Sequence, residues 1–79
     1  MSNEEKYLQA FCETFGIDAE QAKGLKYQDI EEWDSVGHMS LVAALEDAFD
    51  IMMETDDIID INSYAKGKEI LAERYDIAF

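Results

Sequence analysis

The chain is predicted to be all-α: a four-helix bundle of three longer helices plus a short third helix, with a long loop between the first and second. Three observations carry this expectation. Apolar residues recur at spacings of three and four in separate stretches, each bounded by capping residues. Proline is absent, and strand-favouring residues never alternate over a useful length. Hydrophobic residues make up 48% of the composition, too rich for a disordered chain, and a length of 79 residues leaves room for one domain spanning residues 1–79. Helices with one apolar face each can bury all of those faces only by packing together.

The first helix is expected from about Asn3 to Phe15. Ser2 and Glu5 form a capping-box pattern ahead of it. Tyr7, Leu8, Phe11, Cys12 and Phe15 share one stripe, and Gly16 is a C-terminal stop. Residues 16–34 lack a helical period. They form a long loop pinned by Ile17, Leu25, Tyr27, Ile30 and Trp33, with a short turn near Ala19–Lys23. Loops of this length are uncommon and often functional. Ser35 is a suitable N-cap for a second helix from about Val36 to Phe49 or Asp50. His38, Leu41, Val42, Leu45, Ala48, Phe49 and Met52 make its stripe. Thr55 and Asp56 cap a short third helix carrying Ile58, Ile59 and Ile61. Asn62 or Ser63 caps a fourth, with Tyr64, Ala65, Ile70, Leu71 and Tyr75 facing inward. Phe11, Phe15, Leu41, Leu45, Phe49, Met52, Met53, Ile58, Ile61 and Ile70 are the core candidates.

Charge narrows the function. Nineteen acids face six basic residues, for a net charge of −13. Between Tyr27 and Ala65 there are eleven acids and no Lys or Arg. Such a polyanion does not neutralise phosphates, which excludes nucleic acid and disfavours anionic membranes. Partners with basic patches are expected instead. Cys12 stands alone, so neither an internal disulfide nor a cysteine-based zinc cluster can form. The Asp56-Asp57-x-x-Asp60 cluster lacks the spacing and glycine of a calcium loop, and no metal site is expected. No apolar run approaches the ~20 residues of a membrane span. Met1 to Lys6 lacks the basic and apolar regions of a signal peptide. A cytoplasmic monomer without membrane insertion is the expectation.

Asp34-Ser35 is the candidate site. A serine at a helix mouth has a plain explanation: its hydroxyl caps free N–H groups, worth ~1 kcal/mol. A catalytic Ser35–His38 pair is a second possibility, but a domain this small offers little from which to build an oxyanion hole and cleft. The third is attachment of a phosphodiester to Ser35, whose charge the helix dipole and exposed N–H groups stabilise. Asp34 would then help to hold a divalent ion while another enzyme transfers the phosphoryl group.

The stretch Trp33-Asp34-Ser35-Val36-Gly37-His38-Met39-Ser40-Leu41-Val42 resembles the Asp-Ser-Leu signature of acyl carrier proteins, with Val36 in place of the usual Leu. The similarity runs on through Ala44-Leu45-Glu46-Asp47-Ala48-Phe49-Asp50, and the Asp- and Ile-rich third helix and Ile70-Leu71 also fit. The resemblance implies that a phosphopantetheinyl transferase, using coenzyme A, places a 4'-phosphopantetheine arm on Ser35. The thiol of the arm carries acyl groups as thioesters, so Cys12 is a plain core thiol and the protein is not itself an enzyme. Aminoacyl or peptidyl cargo, or an unmodified acidic interaction domain, are the alternatives. Acyl-loading and acyl-transferring enzymes with basic docking patches are the implied partners. Their docking face would comprise Asp34, Val36, Ser40, Ala43 and Asp47, with Glu46 and Asp50 alongside. Carriers of fatty acid synthesis usually show acids at the positions of Gly37 and Ser40 and a Met at that of Ala43. The chain therefore looks closer to specialised carriers of a dedicated biosynthetic pathway.

Overall fold

A computed structural model describes residues 1–79 as five helices with no strand: α1 (Asn3–Phe15), α2 (Ala19–Lys23), α3 (Ser35–Phe49), α4 (Thr55–Asp60) and α5 (Tyr64–Arg74). The start of α1 follows from its capping box. Ser2 Oγ accepts from the Glu5 N–H, and Glu5 Oε1 accepts from the Ser2 N–H, both at 3.1 Å. Those bonds hold the Glu5 carboxyl below its ordinary range. Gly16 closes α1 in the left-handed region at φ 65°, as its position predicts. The turn anticipated at Ala19–Lys23 is a helix in its own right, capped by Asp18 Oδ1. Ser63 caps α5 by accepting from the Lys66 N–H.

The core lies where α1 packs on α3, with α5 closing it. Phe11 forms edge contacts with Phe15, Trp33 and Tyr64, and Phe15 stacks on Trp33 at 5.3 Å. Tyr7 is fully buried, and its hydroxyl donates to the Tyr64 carbonyl at 2.6 Å, fastening α1 to the start of α5. Leu41, Val42 and Leu45 supply the α3 side. The loop before α3 is pinned by the buried side chains of Ala22, Leu25 and Trp33. A backbone bridge adds to them: Tyr64 N–H donates to the Leu25 carbonyl and Tyr27 N–H to the Asn62 carbonyl, each at 2.9 Å.

Several expectations are corrected. Met52 is 88% exposed, because Asp50 ends α3 in the left-handed region at φ 54° and breaks the helical stripe. Met53, its neighbour among the core candidates, is buried as expected. Tyr27 and Ala65 are exposed, while Phe49, Ile58 and Tyr75 are only half-buried. Neither Thr55 nor Asp56 caps α4: the cap residue is Glu54, and no side chain of that segment bonds the free N–H groups. Asp57 is not a surface acid but is 3% exposed. The segment after α5, absent from the expected layout, folds back so that Phe79 meets Tyr7 and Phe49, and Asn3 Nδ2 donates to the Ala78 carbonyl. No helix is long and apolar enough to cross a membrane.

Candidate functional site

Ser35 is exposed and is the first residue of α3. The expectation that it caps the helix is incorrect. Asp34 is the N-cap: its Oδ1 accepts from the Gly37 N–H at 2.8 Å, and its carbonyl accepts from the His38 N–H at 2.8 Å. A carboxylate capping a helix mouth also suits the dipole. The Ser35 hydroxyl takes no part in the cap and is left free at the positive end of a 15-residue helix. Asp34 spends one carboxylate oxygen on the cap and keeps the other.

The junction is held from both sides. A Cβ on Gly37 would collide with the Glu32 carbonyl, so only glycine lets the loop run this close to the first turn of α3. This explains an uncharged residue at that position without reference to partners. On the other side, the Trp33 indole N–H donates to His38 Nδ1 at 2.9 Å, and Trp33 is fully buried against Phe11 and Phe15. His38 Nε2 lies 2.7 Å from the Ile58 carbonyl of α4. His38 is thus a structural bridge rather than a partner of Ser35, and its hydrogen bonds leave no ring nitrogen free to act as a base.

The predicted docking residues divide into two groups. Val36, Ser40, Ala43 and Asp47 are all exposed along α3, Val36 at 76%. Met39, off the core stripe and exposed, extends the apolar patch at Val36; sequence periodicity placed it on no face of interest. Asp50 is exposed as the C-cap of α3. Glu46 is different: it is half-buried and its Oε2 accepts from the Met53 N–H at 2.9 Å. That carboxylate shapes the α3–α4 turn.

Two concavities open on the surface. A groove of about 420 Å³ runs between α1 and α3, where Ala10, Ala44 and Ala48 leave room and Lys6, Glu13 and Asp47 form the rim. A cleft of about 220 Å³ lies between α3 and α4, lined by Tyr27, His38, Ile59, Ile61 and Asn62. Ile59, carried on the short helix and not among the core candidates, is largely exposed at this cleft. No three His, Cys, Asp or Glu side chains converge to hold a metal ion. Burial first, then Asp18 and Glu13, push the Cys12 thiol up, away from the reactive thiolate. No protein-family model, curated protein or solved structure matches the chain.

Proposed function

We propose that the protein is an acyl carrier that holds acyl groups as thioesters on a 4'-phosphopantetheine arm attached to Ser35 and presents them to partner enzymes. The observation that carries this reading is the idle hydroxyl. Asp34 performs the capping that would otherwise account for a serine at this position, so Ser35 is exposed with no structural task. The residues present fit the group: a free hydroxyl for the phosphodiester, the first-turn N–H groups and helix dipole to stabilise its charge, and a spare oxygen on Asp34 for the divalent ion of the transfer. When bound, the arm supplies a thiol on a flexible tether. In this reading α1, α3 and α5 are the long helices of a carrier-type four-helix bundle and α4 is the short one. The protein is a cytoplasmic monomer, catalyses nothing itself, and serves a dedicated biosynthetic pathway. Val36, Met39, Ser40, Ala43 and Asp47 form the docking face for the phosphopantetheinyl transferase and for loading enzymes with basic patches. Asp50 lies at the far end of that face.

The test is the intact mass after incubation with coenzyme A, magnesium and a broad-specificity phosphopantetheinyl transferase. The wild type should gain one phosphopantetheinyl group, and Ser35→Ala, equally helical by circular dichroism, should gain none. An unmodified wild type, or a modified Ser35→Ala, overturns the reading. Asp47→Lys should slow association with the transferase, and the effect should shrink as salt is added. Unchanged rates at low ionic strength would remove Asp47 from the docking face.

A further inference from the structure

The His38 ring has a single workable protonation state. The Trp33 indole nitrogen can only donate, so His38 Nδ1, 2.9 Å away, must be a bare acceptor. The proton of a neutral imidazole then lies on Nε2, which donates to the Ile58 carbonyl at 2.7 Å. The Trp33 and His38 rings meet edge to edge through their bond and are nearly coplanar, with an interplanar angle of 12°. Ile58 belongs to the last turn of a six-residue helix, where carbonyls have no partner within the helix. His38 is therefore a C-terminal cap delivered to α4 from α3. One ring joins three segments: the loop residue two before Ser35, the first turn of α3, and α4.

That bridge matters because it is the side-chain hydrogen bond between α3 and α4 itself; the other polar ties of the corner hold the preceding Met53 and Glu54 N–H groups or run to Tyr75 and Arg74. The only side chain α4 buries is Asp57, which points to Tyr75 and Arg74 rather than to α3. We propose that His38 is a positioning residue: its neutral, Nε2-protonated imidazole locks Trp33 and α4 onto the mouth of α3 and so sets the backbone that presents Ser35. The consequence for modification rests on the reading of Ser35 as the attachment site; the bridge itself does not.

Protonation would place a second N–H on the ring, facing the indole N–H, and the Trp33 bond would be lost. Of the groups around the ring, only the Ile58 carbonyl at the C-terminal end of α4 favours the added charge, and it is already satisfied by the neutral ring's Nε2–H. Trp33 and Tyr27 face it from the loop, Tyr27 edge-on at 5.7 Å. Ile59 with the Ile58 carbonyl faces it from α4, and Ile61 and Asn62 complete the cleft. Tyr27 is the only titratable side chain among them. No carboxylate forms an ion pair with the ring; Asp34 directs Oδ1 to the Gly37 N–H, and Asp57 is turned to α5. A second proton on the ring would therefore loosen the α3 mouth and its tie to α4 together.

The experiment uses the ¹⁵N-labelled protein without its arm. At pH 7.5 a coupling through the hydrogen bond should connect Trp33 Nε1 to His38 Nδ1. It should vanish once a second proton on the ring occupies Nδ1. His38→Leu should raise the opening equilibrium of α4 amides roughly tenfold, the worth of one hydrogen bond. His38→Gln, whose amide can still donate to the Ile58 carbonyl, should keep α4 protected and remove the acid dependence. With the transferase, His38→Leu should raise KM roughly three- to tenfold at little change in kcat, and His38→Gln should restore it. Absence of the coupling, or α4 opening unchanged in His38→Leu, overturns the bridge. Raised opening with an unchanged KM overturns the positioning role. Should His38→Leu not fold, the wild-type acid titration and His38→Gln still decide. Failure of the wild type to be modified sinks the carrier reading alone, since the resonance measurements need no arm.

Discussion

Between α1 and α3 the contact is made of rings and aliphatic side chains. Tyr7, Phe11 and Phe15 are buried with Trp33, Leu41 and Leu45 in one apolar cluster, held by the removal of that surface from water. The α4 corner is built the other way. Glu46 holds the Met53 N–H, and the Tyr75 hydroxyl accepts from the Glu54 N–H at 2.9 Å while donating to Asp57 Oδ2 at 2.6 Å. The Arg74 guanidinium lies 3.0 Å from Asp57 Oδ1 without the alignment of a hydrogen bond, so that contact is coulombic. His38 holds the far end. Hydrophobic packing is non-directional and cooperative, so the aromatic half should open only when the whole chain unfolds. Polar ties are directional and can be broken one at a time, so the α4 corner can open locally. The proposed attachment serine lies at the seam between the two.

The sharpest way to break this comparison is to remove a ring from the first region. Trp33→Ala should cost about 3–5 kcal/mol in equilibrium denaturation, much of the stability of a small domain. A loss below 1 kcal/mol would show that the aromatic half is not where stability resides.

Alkali should come next. Burial, and then proximity to Tyr64, push the Tyr7 hydroxyl far up. Burial likewise raises Tyr64 and, together with its bond to Asp57, Tyr75. A group raised in the folded state contributes stability that is fully present below its unfolded value and is lost as pH rises. For tyrosine that loss begins near pH ~10, and a fully buried one removes about 1.4 kcal/mol per pH unit beyond it. Chemical denaturation from pH 8 to 11.5 should show stability flat and then falling. Tyr7→Phe should be less stable at pH 8 but should flatten the slope. An unaltered slope in that variant would mean that Tyr7 is not sealed in the core.

The smallest effects belong to α4. Asp57→Ala removes the acceptor of the Tyr75 hydroxyl and should cost about 1–2 kcal/mol. Asp57→Asn keeps an acceptor and loses only the attraction to a guanidinium that is itself half-exposed, so about 0.5 kcal/mol is expected. Amide exchange should show both changes concentrated in α4. Equal costs for the two variants would mean that Arg74, not Tyr75, holds the corner.

The all-α class and the spans of the long helices were legible in the sequence because their causes are local. A capping box at Ser2–Glu5, a glycine after Phe15, a serine before Tyr64 and apolar spacing near 3.6 residues each act within one or two turns. The attachment candidate was found by its neighbours, Asp34-Ser35-Val36 at a helix mouth. Its division of labour was not, since either Asp34 or Ser35 can cap a helix and only the backbone geometry selects Asp34. The sequence by itself determined the spans of the three long helices to within a residue or two, and how much charge the molecule carries. Tertiary structure alone decided that Asp57 is inside, that Met52 is outside, that Glu46 serves a turn, and that His38 links Trp33 to Ile58. The physical reason is range. Capping and periodicity are settled by residues three or four apart, whereas the partners of these side chains lie up to twenty residues away and meet them only once the helices have packed.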